Sequence, residues 1–124
     1  MGDLKFTKQQ RISTRAEYQS IYKNGIKAGD GFFRIIISRN PRQTRPKLGI
    51  IVSKKVGPAV TRNRIKRMVR EIYRLNQKKI TAEIKLVVIA KPECITQKYQ
   101  DIEQSLFKLL DRVDGLKKDI VANR

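Results

Sequence analysis

Residues 52–67 read VSKKVGPAVTRNRIKR, and this stretch decides how the whole chain is interpreted. The end of an apolar strand leads through a turn at Gly57 and Pro58 into the start of a helix crowded with Arg and Lys. From residue 54 to residue 79 there are ten Lys or Arg and one acid, Glu71, so half of the net charge of +18 lies in about a fifth of the sequence. Such a surface is typical of proteins that meet phosphate groups.

The composition predicts one folded domain with a polyanionic partner. A chain of 124 residues with 40% hydrophobic content can build a core, while 29 basic residues against 11 acidic ones give a pI near 10.5. Nucleic acid is the first candidate partner and a membrane surface the weaker one. A single cysteine, Cys94, excludes an intramolecular disulfide, and no stretch is typical of a signal peptide or a membrane span. We therefore expect a soluble, cytoplasmic protein.

The inventory of catalytic groups is poor. The chain has no histidine, which removes the commonest general base and zinc ligand. The acids of the basic part of the chain are scattered singly, as Asp3, Glu17, Asp30, Glu71 and Glu83. We therefore do not expect the protein to carry an active site of its own.

Hydrophobic periodicity predicts the order helix, strand, strand, helix, strand, helix. The predicted elements are a helix from Ser13 or Thr14 to Lys23, strands 32–38 and 48–53, a helix from Thr61 toward Lys79, a strand 83–90 and a helix 97–113. The loop 40–46 has the Pro and Asn content of a hairpin connection. The helical connection between the second and third strands indicates that these two are parallel neighbours.

The second predicted helix has one apolar face and one basic face. The apolar positions are Ile65, Met68, Val69, Ile72 and Leu75. Opposite them lie Asn63, Arg67, Arg70 and Arg74, with Arg64 and Lys66 at the flanks. A solvated surface helix usually mixes charges of both signs, whereas this one places like charges side by side. A bound polyanion would reduce the repulsion between them. The pattern therefore favours phosphate binding over a merely solvated face.

Two tyrosines, Tyr18 and Tyr22, lie one turn apart on the first predicted helix. Both rings could simply pack into the core. Because Arg15 and Lys23 flank them, they could instead form a platform on which single-stranded bases stack. The residues alone favour neither core packing nor base stacking.

Residues 49–67, continuing into Arg70 and Glu71, resemble the signature of the bacterial ribonuclease P protein family. That signature is an Arg-Asn-Arg helix reached through a Ser-Lys-Lys strand and a Gly-x-Ala-Val turn. A second family element, an Arg followed by an aromatic helix and a glycine, is similar to Arg11, Tyr18, Tyr22 and Gly25. The resemblance covers about residues 5–112.

The resemblance implies a protein cofactor of a ribonucleoprotein endonuclease, in which RNA cuts precursor tRNA to free the mature 5′ end. Magnesium ions are then held mainly by RNA, and the protein alone binds no cofactor or metal. The implied partners are the catalytic RNA of ribonuclease P and the 5′ leader of precursor tRNA, with no membrane and no obligate protein partner.

Site residues follow from the matching positions. The residues expected to face the catalytic RNA are Arg62, Asn63, Arg64, Lys66, Arg67 and Arg70. Those expected to line a central cleft for the single-stranded leader are Tyr18, Tyr22, Phe33, Lys54 and Val56. Further basic positions are Arg11, Lys55 and Arg74.

The fold implied by the resemblance is an α/β protein, an α+β two-layer sandwich similar to a ribosomal protein S5 domain, with a left-handed βαβ crossover. One domain would cover residues 1–124, with 115–124 as a tail that need not be ordered. The alternative function is a structural RNA-binding protein of ribosomal type, which would share the charge but need no aromatic cleft. An independent protein nuclease is a third interpretation, and it would require cleavage without RNA.

Overall fold

The computed structural model describes residues 10–115. Its helices are α1 (Arg15–Asn24), α2 (Ala59–Asn76) and α3 (Tyr99–Arg112). Its strands are β1 (Ile26–Gly29), β2 (Phe33–Arg39), β3 (Lys47–Ile51) and β4 (Ile84–Ala90). Short 3₁₀ turns cover Lys54–Val56, Gln77–Lys79 and Pro92–Thr96. The predicted α+β class is confirmed, and the predicted elements follow one another in the predicted order, with one further strand, β1, between α1 and β2.

The four strands form one mixed sheet in the order β1-β2-β4-β3. Strand β2 pairs antiparallel with both β1 and β4, while β3 pairs parallel with β4. Because α2 connects β3 to β4, the predicted parallel crossover is confirmed; its left-handed sense stays a prediction. This crossover places the start of α2 directly after the end of β3.

Helices cover both faces of the sheet. On one face, α2 and α3 pack against the larger core cluster, which contains Phe33, Ile35, Ile37 and side chains of β3 and β4. On the other face, α1 covers a smaller cluster of Ile12, Ile21, Ile36 and Val87. Since one short helix cannot cover a four-stranded sheet, part of this second face stays open.

Helix starts follow local capping chemistry. The Thr14 hydroxyl accepts a hydrogen bond of 3.1 Å from the Glu17 amide, so the predicted cap of α1 is confirmed. The predicted start of α2 at Thr61 is wrong, because the helix begins at Ala59 with Pro58 in the N-cap position. Proline fixes φ near the helical value and lacks the N–H that a first turn leaves unpaired, which makes it suitable there.

Strand β1 is absent from the predicted order. It occupies four residues directly after α1 and pairs with β2 from Ile26 opposite Ile37 to Gly29 opposite Arg34. Its side chains are mostly exposed, so its sequence has no apolar alternation to reveal it. The predicted tail of residues 115–124 lies, apart from Gly115, outside the described residues.

Candidate nucleic-acid interface

Helix α2 presents its predicted basic face to solvent. Ile65, Val69 and Ile72 are buried against the sheet, as the periodicity predicts, whereas Leu75 is exposed. The side chains on the other side remain accessible: Asn63, Arg64, Arg67 and Arg70 are exposed, and Arg62, Lys66 and Arg74 are half-buried. The structure therefore brings the predicted RNA-facing residues together on one helix.

Some of these guanidinium groups are held by the protein itself. Arg62 Nε donates to the Gly57 carbonyl at 3.1 Å, and Arg64 Nη2 donates to the Ile95 carbonyl at 3.0 Å. These two bonds fix the first turn of α2 against its neighbouring loops. Both donors point at backbone oxygens, so each arginine keeps its full positive charge.

Arg74 differs from the other cations because a carboxylate neutralises it. Its Nη2 lies 2.5 Å and its Nε 3.1 Å from the two Glu71 carboxylate oxygens. Hydrogen bonds from Arg74 hold the pKa of the Glu71 carboxyl below its usual value. The single acid of the basic stretch is thus engaged by Arg74, and within residues 10–115 no carboxylate pairs with Lys66, Arg67 or Arg70.

The approach to α2 adds exposed cations. After β3 the chain makes a 3₁₀ turn in which Lys54 and Lys55 are exposed and Val56 is buried. Gly57 follows with φ of +155°, a positive value that side chains disfavour. The turn therefore places two ammonium groups beside the first turn of α2.

Tyr18 and Tyr22 lie at the edge of the smaller core cluster. Tyr18 packs against this cluster and is half-buried, whereas Tyr22 is 37% exposed. Burial raises the pKa of both phenols, so both are neutral at physiological pH. The Tyr18 ring therefore packs on the core, as one interpretation of the sequence has it, while Tyr22 keeps an exposed ring surface for a ligand.

The part of this sheet face that α1 leaves uncovered lies beside Tyr18. Ile89 and Ile51 are half-exposed and pack against the same cluster as Tyr18. In the sheet, Arg34 lies opposite Ile89, and Ile89 lies opposite Ile51. Arg34 is exposed and shares its face with Ile36, because side chains alternate along a strand. We call the surface formed by Tyr18, Tyr22, Arg34, Ile51 and Ile89 the tyrosine cleft.

The structure places two residues of the predicted cleft elsewhere. Phe33 is fully buried in the larger cluster, on the face of the sheet that α2 and α3 cover. Val56 is also buried in that cluster, while Lys54 remains exposed. We therefore leave Phe33 and Val56 out of the proposed surface, because neither side chain is accessible to a ligand.

Three residues of the tyrosine cleft were not predicted as site residues: Arg34, Ile51 and Ile89. The sequence contains one indication of this surface, the single cation Arg34 in the apolar run 32–37. Because side chains alternate, a charged Arg34 marks the strand face that is open to solvent, and Phe33 then belongs to the buried face.

A carboxylate with two lysine partners holds α1 on the sheet. Glu17 Oε2 lies 3.5 Å from the Nζ atoms of Lys47 in β3 and Lys85 in β4. Burial opposes ionisation, but the two ammonium groups hold the pKa of the Glu17 carboxyl below its usual value. The contact fixes the helix that carries Tyr18 and Tyr22.

Among residues 10–115, no three His, Cys, Asp or Glu side chains lie together as metal ligands would. None of the helices in this part of the chain is both long and apolar enough to cross a membrane.

Comparison with known proteins gives one consistent family. The family model described as Ribonuclease P matches residues 6–114. The ribonuclease P protein component of Desulfatibacillum aliphaticivorans is 40% identical over 114 residues, which cover 91% of this chain and 95% of that protein. The corresponding protein of Syntrophus aciditrophicus is 40% identical over 112 residues, covering 90% and 93%.

Solved structures agree with the fold described above. An RNase P protein from Staphylococcus aureus superposes with a TM-score of 0.80 at 32% identity, covering 87% of this chain and 98% of that chain. An RNase P protein from Thermotoga maritima gives a TM-score of 0.76 at 30% identity, covering 83% and 96%.

Proposed function

Because this chain belongs to the ribonuclease P protein family, it is the protein subunit of a ribonucleoprotein that matures tRNA, and we propose that its tyrosine cleft holds the 5′ leader of precursor tRNA. Association with the ribonuclease P RNA follows from the family. The basic face of α2 is the surface that we assign to this RNA. The leader as ligand and the roles of individual residues are part of the proposal.

One observation carries the proposal: the tyrosine cleft adjoins a helix face on which Lys66, Arg67 and Arg70 have no carboxylate partner among residues 10–115. Tyr22 offers an exposed ring, and Arg34 adds a charge to the cleft. Aromatic rings stack on bases of any sequence, and nearby cations contact the phosphates between them. A scaffold protein that binds only folded RNA needs the phosphate contacts but not the stacking surface.

The proposed mechanism is electrostatic and positional. The α2 cations attract RNA phosphates and orient the protein, and the cleft then binds leader nucleotides that mature tRNA lacks. Precursor is therefore bound more tightly than product, which favours turnover. In this proposal the magnesium ions that the holoenzyme requires are held mainly by RNA, as the family resemblance implies. We place the activity in the bacterial cytoplasm, where precursor tRNA is made.

The test compares precursor tRNA with mature tRNA. Holoenzyme reconstituted with ribonuclease P RNA should bind the leader-bearing precursor more tightly than the product. Tyr22→Ala removes a stacking ring worth about 1–2 kcal/mol, so precursor affinity should fall about 5- to 30-fold while product affinity stays unchanged. Tyr99→Ala is the matched control, because Tyr99 is half-buried on α3, against the other core cluster.

Equal affinity of the wild-type holoenzyme for precursor and product would contradict the proposal and favour a structural RNA-binding role. Equal losses in Tyr22→Ala and Tyr99→Ala would also contradict it, since they would indicate general destabilisation rather than loss of a stacking contact.

A further inference from the structure

A polar pocket of about 250 Å³ lies between the tyrosine cleft and the basic face of α2. Its polar lining consists of Arg11, the Tyr18 side chain, Lys66 and Arg70, with Gly49 in its wall. The sequence assigned these side chains to different surfaces, and the fold brings them to one place.

The backbone fixes two walls of this pocket. The Ile12 amide donates to the Leu48 carbonyl at 2.9 Å, and Arg11 forms a parallel bridge with Leu48. The segment that carries Arg11 therefore lies along the outer edge of β3. On the opposite side, Lys66 and Arg70 are four residues apart on α2, so their side chains are neighbours on one helix face.

A glycine allows Tyr18 to reach the pocket. A Cβ added at Gly49 would lie 2.5 Å from the Tyr18 hydroxyl oxygen and 2.8 Å and 2.9 Å from two ring carbons. Only glycine at this position lets the ring lie directly on β3. Burial, reinforced by Tyr22 and Glu17, raises the pKa of Tyr18, so the hydroxyl is protonated and can donate a hydrogen bond.

The lining of the pocket carries positive charge from Lys66 and Arg70, and no lining residue has a carboxylate. The acid nearest in sequence to Tyr18, Glu17, is engaged by Lys47 and Lys85 on the sheet. Like charges at Lys66 and Arg70 repel each other in the free protein, and an anion between them removes that repulsion.

We propose that this pocket is a binding site for a single phosphodiester group of RNA, held by Lys66, Arg70 and the Tyr18 hydroxyl. The proposal rests on the function proposed above and adds to it one phosphate at the junction of the two surfaces. Charge-assisted hydrogen bonds from several elements to one phosphate would fix the angle between RNA in the cleft and RNA on α2.

The first experiment uses inorganic phosphate as the probe and the full chain as the protein. Phosphate binding is measured by calorimetric titration at constant ionic strength. Lys66→Gln and Arg70→Gln should each weaken binding at least about tenfold, as expected for charge-assisted hydrogen bonds. Arg67→Gln is the matched control, because it removes the same charge from the same helix outside the pocket.

A second variant separates pocket shape from charge. Gly49→Ala forces the Tyr18 ring away from β3 without changing any charge, and it should also weaken phosphate binding. Equal losses in Lys66→Gln, Arg70→Gln and Arg67→Gln would overturn the proposal, since they would indicate diffuse attraction to a basic surface. Unchanged binding in Gly49→Ala with circular dichroism like that of the wild type would overturn the role of Tyr18.

The source of the phosphate is identified in the holoenzyme. Leader linkages are neutralised singly as methylphosphonates, and linkages of the catalytic RNA are scanned by phosphorothioate interference. Modification of one linkage should weaken binding to the wild-type protein and have no effect on binding to Lys66→Gln. The RNA that contains this linkage supplies the phosphate. If no linkage in either RNA couples to Lys66, the proposal is wrong. A wild-type preference for precursor over product in the same assay shows separately whether the proposed function holds.

Discussion

The ion pair between Arg74 and Glu71 predicts that two arginines of one helix contribute unequally to RNA binding. Arg67 is exposed with no carboxylate partner in residues 10–115, whereas Arg74 lies 2.5 Å from the Glu71 carboxylate. An RNA phosphate that contacts Arg74 must replace this carboxylate, so little counterion release is gained. A phosphate that contacts Arg67 meets an unpaired charge.

The expected change in the salt dependence of RNA binding follows from counterion release. Each neutralised phosphate contributes about 0.7–0.9 to the slope of log affinity against log salt, so one lost contact changes the ratio of affinities at about 50 and 200 mM salt by about threefold. Arg67→Gln should lose this full increment. Arg74→Gln should lose less than about half of it, and Glu71→Gln should steepen the slope because it frees Arg74.

The assay is equilibrium binding of the protein to ribonuclease P RNA over a series of salt concentrations. Glutamine keeps good helix propensity, so the helix itself should be unaffected. Equal slopes for Arg67→Gln and Arg74→Gln, together with no change in Glu71→Gln, would refute the reasoning that pairing with Glu71 removes Arg74 from the RNA-binding surface.

Three further predictions concern stability. Glu17→Gln should cost about 1 kcal/mol of folding stability near pH 7, because it removes the contact with Lys47 and Lys85. The pKa of the Glu17 carboxyl in the folded state is below the ordinary 4.5, so this stabilisation is present above pH 4.5 and fades as the pH falls through the folded pKa. Urea unfolding of both proteins at pH 7 and pH 3 checks the difference. Gly25→Ala should cost about 1–3 kcal/mol in the same unfolding assay, since its Cβ would lie 2.5 Å from Ile36 Cγ2. Gly31→Ala is the matched control, because a Cβ at that position would meet no atom within 4 Å. Sulfate at constant ionic strength should raise Tm by about 4 °C or more, because it binds to the folded state. A Tm that does not change with sulfate concentration would contradict anion binding.

Helix α2 and its two faces are predictable from the sequence because one hydrophobic period runs along the whole helix. Its apolar positions recur at the helical period, so the buried face and the basic face follow directly. The parallel pairing of β3 with β4 follows from the helix between them. Strand β1 is not predictable in this way, because a four-residue edge strand with exposed side chains has no period to detect.

The cleft is harder to predict because it depends on which face of β2 is open. The run Phe32 to Ile37 is apolar except at Arg34, so composition alone suggests aromatic contacts from Phe33, which the fold buries. The contact between Tyr18 and Gly49 joins residues 31 positions apart, and no local pattern contains it. Tertiary packing, rather than local propensity, therefore decides which predicted site residues meet.

The central claim is that this protein is an RNA-dependent cofactor of tRNA maturation. Its most direct test is 5′-end cleavage of a leader-bearing precursor tRNA at low magnesium, with ribonuclease P RNA alone, the protein alone, and both together. We expect cleavage at the mature 5′ end only when both are present. Absence of rescue by the protein with several types of ribonuclease P RNA, or cleavage by the protein alone, would contradict it.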